Sequence, residues 1–77
     1  MQKKFSKSDR YLVKSIGKNI RKYRKKEGFS QETLAFNAHL DRNYIGAVER
    51  GEANISAISL NKIAKALNIP AVKFWEF

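Results

Sequence analysis

Residues 30–51 have the sequence SQETLAFNAHLDRNYIGAVERG, which predicts two short helices joined by a tight turn. Ser30 and Asp41 stand where an N-cap is needed, because their side-chain oxygens can accept hydrogen bonds from the free backbone N–H groups of a first helical turn. The apolar residues Ile45 and Val48 recur at helical spacing, which places both on one side of the second helix. That side is predicted to face the core.

The outward side of the second helix lacks the long Lys and Glu side chains of an ordinary solvated helix. At about 100° per residue, it holds Asn43, Gly46, Ala47 and Arg50, flanked by Arg42 and Tyr44. Small residues let a helix come close to a surface. Arginine can bond guanine at two points, asparagine can do the same with adenine, and tyrosine can contact a phosphate or a thymine methyl group. We therefore predict that these six residues bind the DNA major groove.

The same stretch resembles the phage-repressor (XRE) type of helix-turn-helix domain. The family pattern SQxxLA, a turn and then ExG is matched by SQETLA at 30–35 and ERG at 49–51, and the match extends through 16–30 and 54–69. Within that family, residues 40–56 (LDRNYIGAVERGEANIS) are most similar to the controller proteins of bacterial restriction–modification systems. Gly46 departs from the pattern, because many relatives have Ser there, so any contact of that hydroxyl does not carry over.

The resemblance implies a lambda-repressor-like fold and roles for three residues outside the outward face. Arg24 and Glu49 would form a structural ion pair, and Gln31 would bind a DNA phosphate. Relatives bind operators as regulators of their own genes and time restriction endonuclease expression. They act as activator or repressor according to the occupancy of tandem operator sites, which makes RNA polymerase a candidate partner beside the operator. Solitary phage repressors and antitoxin-type autoregulators share nearly all these signals and stay open as alternatives.

The composition bounds the class of protein. A chain of 77 residues predicts one small domain, 1–77, with a modest core that dimerisation would help. The absence of cysteine excludes disulfides and thiolate metal sites and fits a cytoplasmic location. The sequence has no run of about 18 apolar residues, the length needed to span a membrane. Its first ten residues lack the apolar core of a signal peptide. The net charge of +9 lies in residues 1–28, which predicts a polyanionic partner, most often nucleic acid.

The remaining apolar patterns complete an all-α bundle of about five helices. After a loose basic arm at 1–8, Ser8 or Asp9 would cap a helix that runs to about Glu27. Its inward residues are Leu12, Val13, Ile16, Ile20 and Tyr23. A helix at about 57–67 would face inward through Ile58, Leu60, Ile63, Ala64 and Leu67. Pro70 would start a last short helix.

The C-terminal segment 70–77 places Phe74, Trp75 and Phe77 within four residues. We expect Phe74 to pack on the core and predict that the cluster forms the interface of a homodimer, because a large exposed apolar patch usually marks an interface. The alternative is that all three aromatic residues close the core.

Three other classes fit the sequence less well. A peripheral membrane protein could use 1–28 as a basic amphipathic helix, but residues 30–51 would stay unexplained. An enzyme would need a catalytic group, yet no paired carboxylates, phosphate loop or nucleophile motif is present, and His39 has no metal-ligand partner at suitable spacing. Binding of single-stranded RNA would need an aromatic stacking platform, whereas the aromatics are scattered. We therefore predict no catalytic residue, metal or cofactor.

Overall fold

The computed structural model describes residues 5–77, which form four α-helices and one 3-10 helix and contain no strand. The elements are α1 (Lys7–Lys26), α2 (Gln31–Ala38), α3 (Arg42–Glu49), α4 (Ala57–Ala66) and the 3-10 helix (Ala71–Trp75). The prediction of an all-α fold with a helix-turn-helix is confirmed. The count of about five helices needs correction, because the last segment winds as a 3-10 helix of five residues, with Pro70 as its N-cap.

Each α-helix begins after a residue whose side chain caps it. Ser30 accepts from the backbone N–H of Thr33 at 3.0 Å, Asp41 from that of Asn43 at 2.7 Å, and Ser56 from that of Ser59 at 3.0 Å, as predicted. The prediction for α1 was wrong, since Ser6 is its cap.

The early start of α1 shortens the predicted arm. The backbone N–H of Asp9 donates to Ser6 Oγ at 3.1 Å, which leaves the Asp9 carboxylate in the first turn, where the helix dipole favours a negative charge. Residues 7 and 8 of the predicted arm 1–8 therefore belong to α1, and residues 1–4 lie outside the described part of the chain.

The core is built from one face of each helix. Its fully buried side chains are Ile20, Leu34, Ile45, Val48, Ile63, Leu67 and Phe74. Ile58 was predicted to join them but is 71% exposed. It lies two residues, or about 200°, from Leu60 on α4, so the two side chains point in nearly opposite directions.

Phe74 packs on the core, as expected, but its burial does not fit the predicted dimer interface. Its ring is 0% exposed, packed edge-on against Tyr23 with 6.2 Å between the ring centroids. A fully buried ring cannot contact a second copy, so Phe74 closes the core and leaves the predicted dimer interface. The reason is the tight winding of the 3-10 helix, which turns this side chain back between α1 and α4.

Helix α1 crosses the end of α3 at Gly17. A Cβ atom at this position would clash with the carbonyl oxygen of Val48 and lie 2.9 Å from that of Glu49. Only glycine therefore allows the two backbones to come this close. The contact fixes the end of α3 against the longest helix and orients the other end outward.

Candidate nucleic-acid interface

The first turn of α3 carries three of the residues that are predicted to contact DNA. Arg42 and Asn43 are exposed, whereas Tyr44 is half-buried and packs against the core. The Asp41 cap keeps this turn helical at its first residues, because it satisfies the backbone N–H of Asn43. The two exposed side chains therefore project from a well-defined helix end.

The middle of α3 differs from the prediction. Ala47 is half-buried and Gly46 is buried, although both were placed on an open outward face. A Cβ atom on Gly46 would lie 3.2 Å from Arg50 Nη1 and 3.5 Å from Gln31 Oε1. Position 46 lies about 100° from the inward Ile45, which turns it toward the start of α2 rather than straight outward. Gly46 is thus covered by two long side chains.

Arg24 and Glu49 form a buried two-point ion pair. Arg24 Nε donates to Glu49 Oε2 at 2.6 Å and Arg24 Nη2 donates to Glu49 Oε1 at 2.9 Å. The remaining Nη1 donates to the carbonyl oxygen of Phe29 at 2.8 Å. Both residues are only 8% exposed. The hydrogen bond to Glu49 raises the pKa of the Arg24 guanidinium above its usual value, although burial acts in the opposite direction.

This ion pair joins three parts of the domain. Arg24 comes from α1, Glu49 is the last residue of α3, and Phe29 lies in the link that leads into α2. The pairing predicted from the family motif is therefore present, and it holds both helices of the helix-turn-helix in place.

Gln31 is tied to the same carboxylate. Its Nε2 donates to Glu49 Oε1 at 3.0 Å. A carboxylate accepts hydrogen bonds and does not donate them, so the atom facing it must be the amide nitrogen, which keeps a second N–H. Gln31 and Glu49 were predicted to have separate roles, one in phosphate binding and one in a structural ion pair. Their spacing of 18 residues carries no signal of this contact, which only the packing of α2 on α3 creates.

Two basic side chains, Arg50 and Lys14, lie near the end of α3. Arg50, the C-cap of α3, donates from Nε to Glu52 Oε1 at 3.0 Å in an exposed ion pair. The stem of Lys14 packs against Gly51 just after this helix. Two further lysines of α1, Lys22 and Lys26, lie over the ring of Tyr23 at 5.2 and 5.9 Å.

An apolar groove lies on another side of the domain. It has a volume of about 510 Å³ and is lined by residues that include Leu12, Ile16, Ile55, Leu60 and Trp75. The exposed Ile58 and Val72, with Trp75 at 49% and Phe77 at 56% exposure, add apolar surface from α4 and the C-terminal segment.

Asn19 and Tyr11 of α1 contact the C-terminal segment. Asn19 Nδ2 donates to the carbonyl oxygens of Phe74 and Glu76 at 3.0 and 3.2 Å. The rings of Tyr11 and Phe77 meet edge to face at 5.9 Å. The chain end is therefore ordered against α1 with Trp75 exposed.

Residues 5–77 were compared with the requirements of two other kinds of site, a metal centre and a membrane span. This part of the chain contains no group of three or more His, Cys, Asp or Glu side chains arranged to hold a metal ion. No helix within it is long and apolar enough to cross a bilayer. His39 is the C-cap of α2, with a left-handed φ of 57°.

Comparison with known proteins agrees with this geometry. The helix-turn-helix family profile matches residues 20–74, which contain both helices of the motif. The chain belongs to this family. It is 45% identical over 58 residues to the control protein C.SmaI of Serratia marcescens, which covers 75% of this chain and 69% of that protein. The resemblance to restriction–modification controller proteins that the sequence motifs indicated is confirmed.

Two solved controller proteins share the fold. C.AhdI of Aeromonas hydrophila superimposes with a TM-score of 0.79 at 44% identity, covering 80% of this chain and 94% of that one. C.Esp1396I, solved as a tetramer in complex with its natural 35 base-pair operator, has a TM-score of 0.78 at 37% identity. That comparison covers 84% of this chain and 86% of the other.

Proposed function

We propose that this helix-turn-helix protein is a sequence-specific DNA-binding transcriptional regulator of a restriction–modification system. The observation that carries the proposal is the exposed pair Arg42 and Asn43 on the first turn of α3, in a chain of the controller-protein type. Arginine and asparagine are the side chains best suited to bond guanine and adenine at two points each.

The way in which α3 is fixed in the domain supports a role in base recognition. The crossing at Gly17 and the ion pair between Arg24 and Glu49 fix the C-terminal end of the helix. Its N-terminal end is free to enter the groove, as the recognition helix of a helix-turn-helix protein does. The rigid position of α3 matters for recognition. Contacts to bases distinguish one DNA sequence from another only when the hydrogen-bond donors are held in place before binding.

The regulator acts as a homodimer on a palindromic operator. The apolar groove and the exposed Trp75, Phe77 and Ile58 supply a surface that a second copy would cover. C.Esp1396I occupies its operator as a tetramer, which fits the assembly of such proteins in more than one copy. A dimer with two recognition helices requires half-sites about one helical turn apart on one face of the duplex.

The regulatory output follows from the relatives. C.SmaI is a control protein, and C.Esp1396I is a restriction–modification controller bound to its natural operator. By this likeness the protein would control its own gene and a restriction endonuclease gene in the cytoplasm. Contact with RNA polymerase at a promoter-proximal site would make it an activator.

Selection of binding sites tests the proposal. Wild-type protein is incubated with a library of random-sequence duplexes, and bound molecules are enriched and sequenced over several rounds. We expect an inverted repeat whose half-sites lie about one helical turn apart. Enrichment of no common sequence would overturn the assignment as a sequence-specific regulator.

A further inference from the structure

Six basic side chains form a continuous row along one face of α1. The row consists of Lys7, Arg10, Lys14, Lys18, Arg21 and Lys25. Its members recur at intervals of three or four residues, so at about 100° per residue they lie within about 80° of one another around the helix axis. This row, the basic stripe, is exposed at every position and runs for about 27 Å at about 1.5 Å per residue.

No acidic side chain lies among the members of the basic stripe. Asp9, the one acidic residue of α1, lies about 200° around the helix from Lys7. Among the ion pairs formed within residues 5–77, none includes a member of the stripe. Like charges three or four residues apart repel one another and weaken a helix. An unpaired row of this kind is therefore suited to a polyanionic partner that removes the repulsion.

The stripe is separate from the residues that are proposed to contact bases. It passes the C-terminal end of α3, where the stem of Lys14 packs against Gly51. Arg42 and Asn43 lie at the other end of α3, about 10 Å away along the helix axis. Four of the six members precede residue 20, where the match to the family profile begins. Most of the stripe therefore lies outside the part of the chain that the profile matches.

We propose that the basic stripe is a second DNA-binding surface, which holds the phosphate backbone of duplex DNA independently of α3 and of the base sequence. This role rests on the DNA-binding function given above and adds a means of staying on DNA outside the operator. Duplex DNA carries one charge about every 1.7 Å along its axis, so a straight row of cations about 27 Å long can meet phosphates along its whole length. Attraction of this kind lets a protein slide along DNA between specific sites.

Two other anionic partners fit the stripe less well. A membrane surface would need a free apolar face of α1 beside the charges, but that face, with Ile16 and Ile20, is buried in the core. A single-stranded nucleic acid would need aromatic side chains among the cations for its bases to stack on, and the six members include none. A rigid duplex needs neither feature.

A charge-matched pair of double variants tests the stripe. Lys7→Gln with Lys18→Gln removes two members, whereas Lys62→Gln with Lys65→Gln removes two exposed lysines of α4. Both double variants lose the same charge and the same kind of side chain, so the general attraction of the protein to DNA falls equally. All four side chains are exposed, so both variants should fold, which circular dichroism checks.

Salt-titrated binding to a random-sequence duplex is measured for wild type and both double variants. At about 0.1 M salt, we expect the stripe variant to bind at least about tenfold more weakly than wild type. Its salt slope should fall by about two units per bound protomer, the share of two phosphate contacts. The α4 variant should stay within about twofold of wild type with an unchanged slope. Equal weakening by both variants would overturn the proposal, because only net charge would then matter.

Arg42→Ala in the stripe variant tests whether the two surfaces act separately. On the duplex that wild-type protein selects, the losses from Arg42→Ala and from the stripe variant should multiply to within about twofold, as for distant independent sites. A stripe effect that disappears once Arg42 is removed would show that both act through one surface and would overturn the proposed separation.

Vesicles that contain phosphatidylserine test the choice of partner. We expect wild-type protein to bind the random duplex more tightly than the vesicles at equal salt. Loss of vesicle binding by the stripe variant, with its duplex binding unchanged, would overturn the assignment to DNA. Failure of wild-type protein to select any sequence would instead refute the regulatory function alone, because the random-duplex measurements need no selected sequence and still decide the role of the stripe.

Discussion

At the scale of single residues, Arg42 separates base recognition from general attraction to DNA. Its side chain is exposed on the first turn of α3 and donates to no described residue. We expect Arg42→Ala to weaken binding to the selected duplex by about 1–3 kcal/mol, the usual cost of one lost two-point base contact. Binding to a scrambled duplex should scarcely change. Fluorescence anisotropy on both duplexes measures the difference.

Lys18→Ala is the charge-matched control for Arg42→Ala, since Lys18 is an exposed cation on α1. Loss of a lysine that touches phosphate weakens binding to every sequence alike, and loss of one that touches nothing changes neither duplex. In both cases the ratio of the two affinities is kept. If Arg42→Ala also keeps that ratio, α3 does not read bases through Arg42.

The ion pair between Arg24 and Glu49 makes a second prediction at this scale. Removing either partner leaves the other charge buried and unpaired, so Glu49→Ala should lower the free energy of unfolding by on the order of 3 kcal/mol. The double variant with Arg24→Ala should lose clearly less than the two single losses combined. Urea denaturation measures all three.

The exposed pair of Arg50 and Glu52 provides the control, because its side chains are 59% and 60% exposed. Glu52→Ala should change stability by less than about 1 kcal/mol, since solvent screens exposed charges. Strict additivity of Arg24→Ala and Glu49→Ala would contradict a coupled buried pair.

At the scale of helices, the position of α3 depends on how closely α1 crosses it. Alanine in place of a helical glycine ordinarily stabilises a protein by up to about 1 kcal/mol. Gly17→Ala should instead destabilise this one by about 1–3 kcal/mol, because its methyl group meets backbone carbonyl oxygens that cannot move alone. Gly46→Ala meets only side-chain ends and should be neutral or stabilising. Thermal denaturation compares the two, and equal stabilisation by both would contradict the close crossing.

Sequence patterns predicted the helices well because caps and apolar spacing are local signals. Ser30, Asp41 and Ser56 cap helices as expected. The start of α1 was placed too late, since Ser6 and Ser8 are equally able to cap and the choice depends on what the added turn packs against. Phe74 packs on the core as expected, and because its ring is fully buried it is not part of the predicted interface.

The exposure of the predicted DNA-binding residues was anticipated only in part. The exposed Arg42 and Asn43 were found from residue type and helical spacing alone. Residue type and helical spacing could not predict that Gln31 and Arg50 cover Gly46. This contact depends on the distance between the start of α2 and the end of α3. That distance is set by tertiary packing, including the crossing at Gly17, which a single helix pattern does not contain.

At the scale of the whole molecule, the proposed homodimer depends on the apolar surface around Trp75. The donors of Asn19 hold the C-terminal segment on α1, and Trp75 borders the apolar groove while staying 49% exposed. A tryptophan in this setting can fill a complementary surface on a second copy, and such residues often dominate interface energy. We expect Trp75→Ala to weaken dimerisation by at least about tenfold, which corresponds to about 1.4 kcal/mol.

Sedimentation analysis of wild type and Trp75→Ala over a range of concentrations measures this change. Phe36→Ala is the matched control, because Phe36 is an aromatic residue that is 79% exposed on α2 and does not line the groove. It should leave the dimer unchanged. Because the two halves of a dimer share one operator, Trp75→Ala should also make operator binding steeper with protein concentration, as dimers must form on the DNA. A wild-type protein that stays monomeric at tens of micromolar, where weak dimers already form, would contradict the proposed interface.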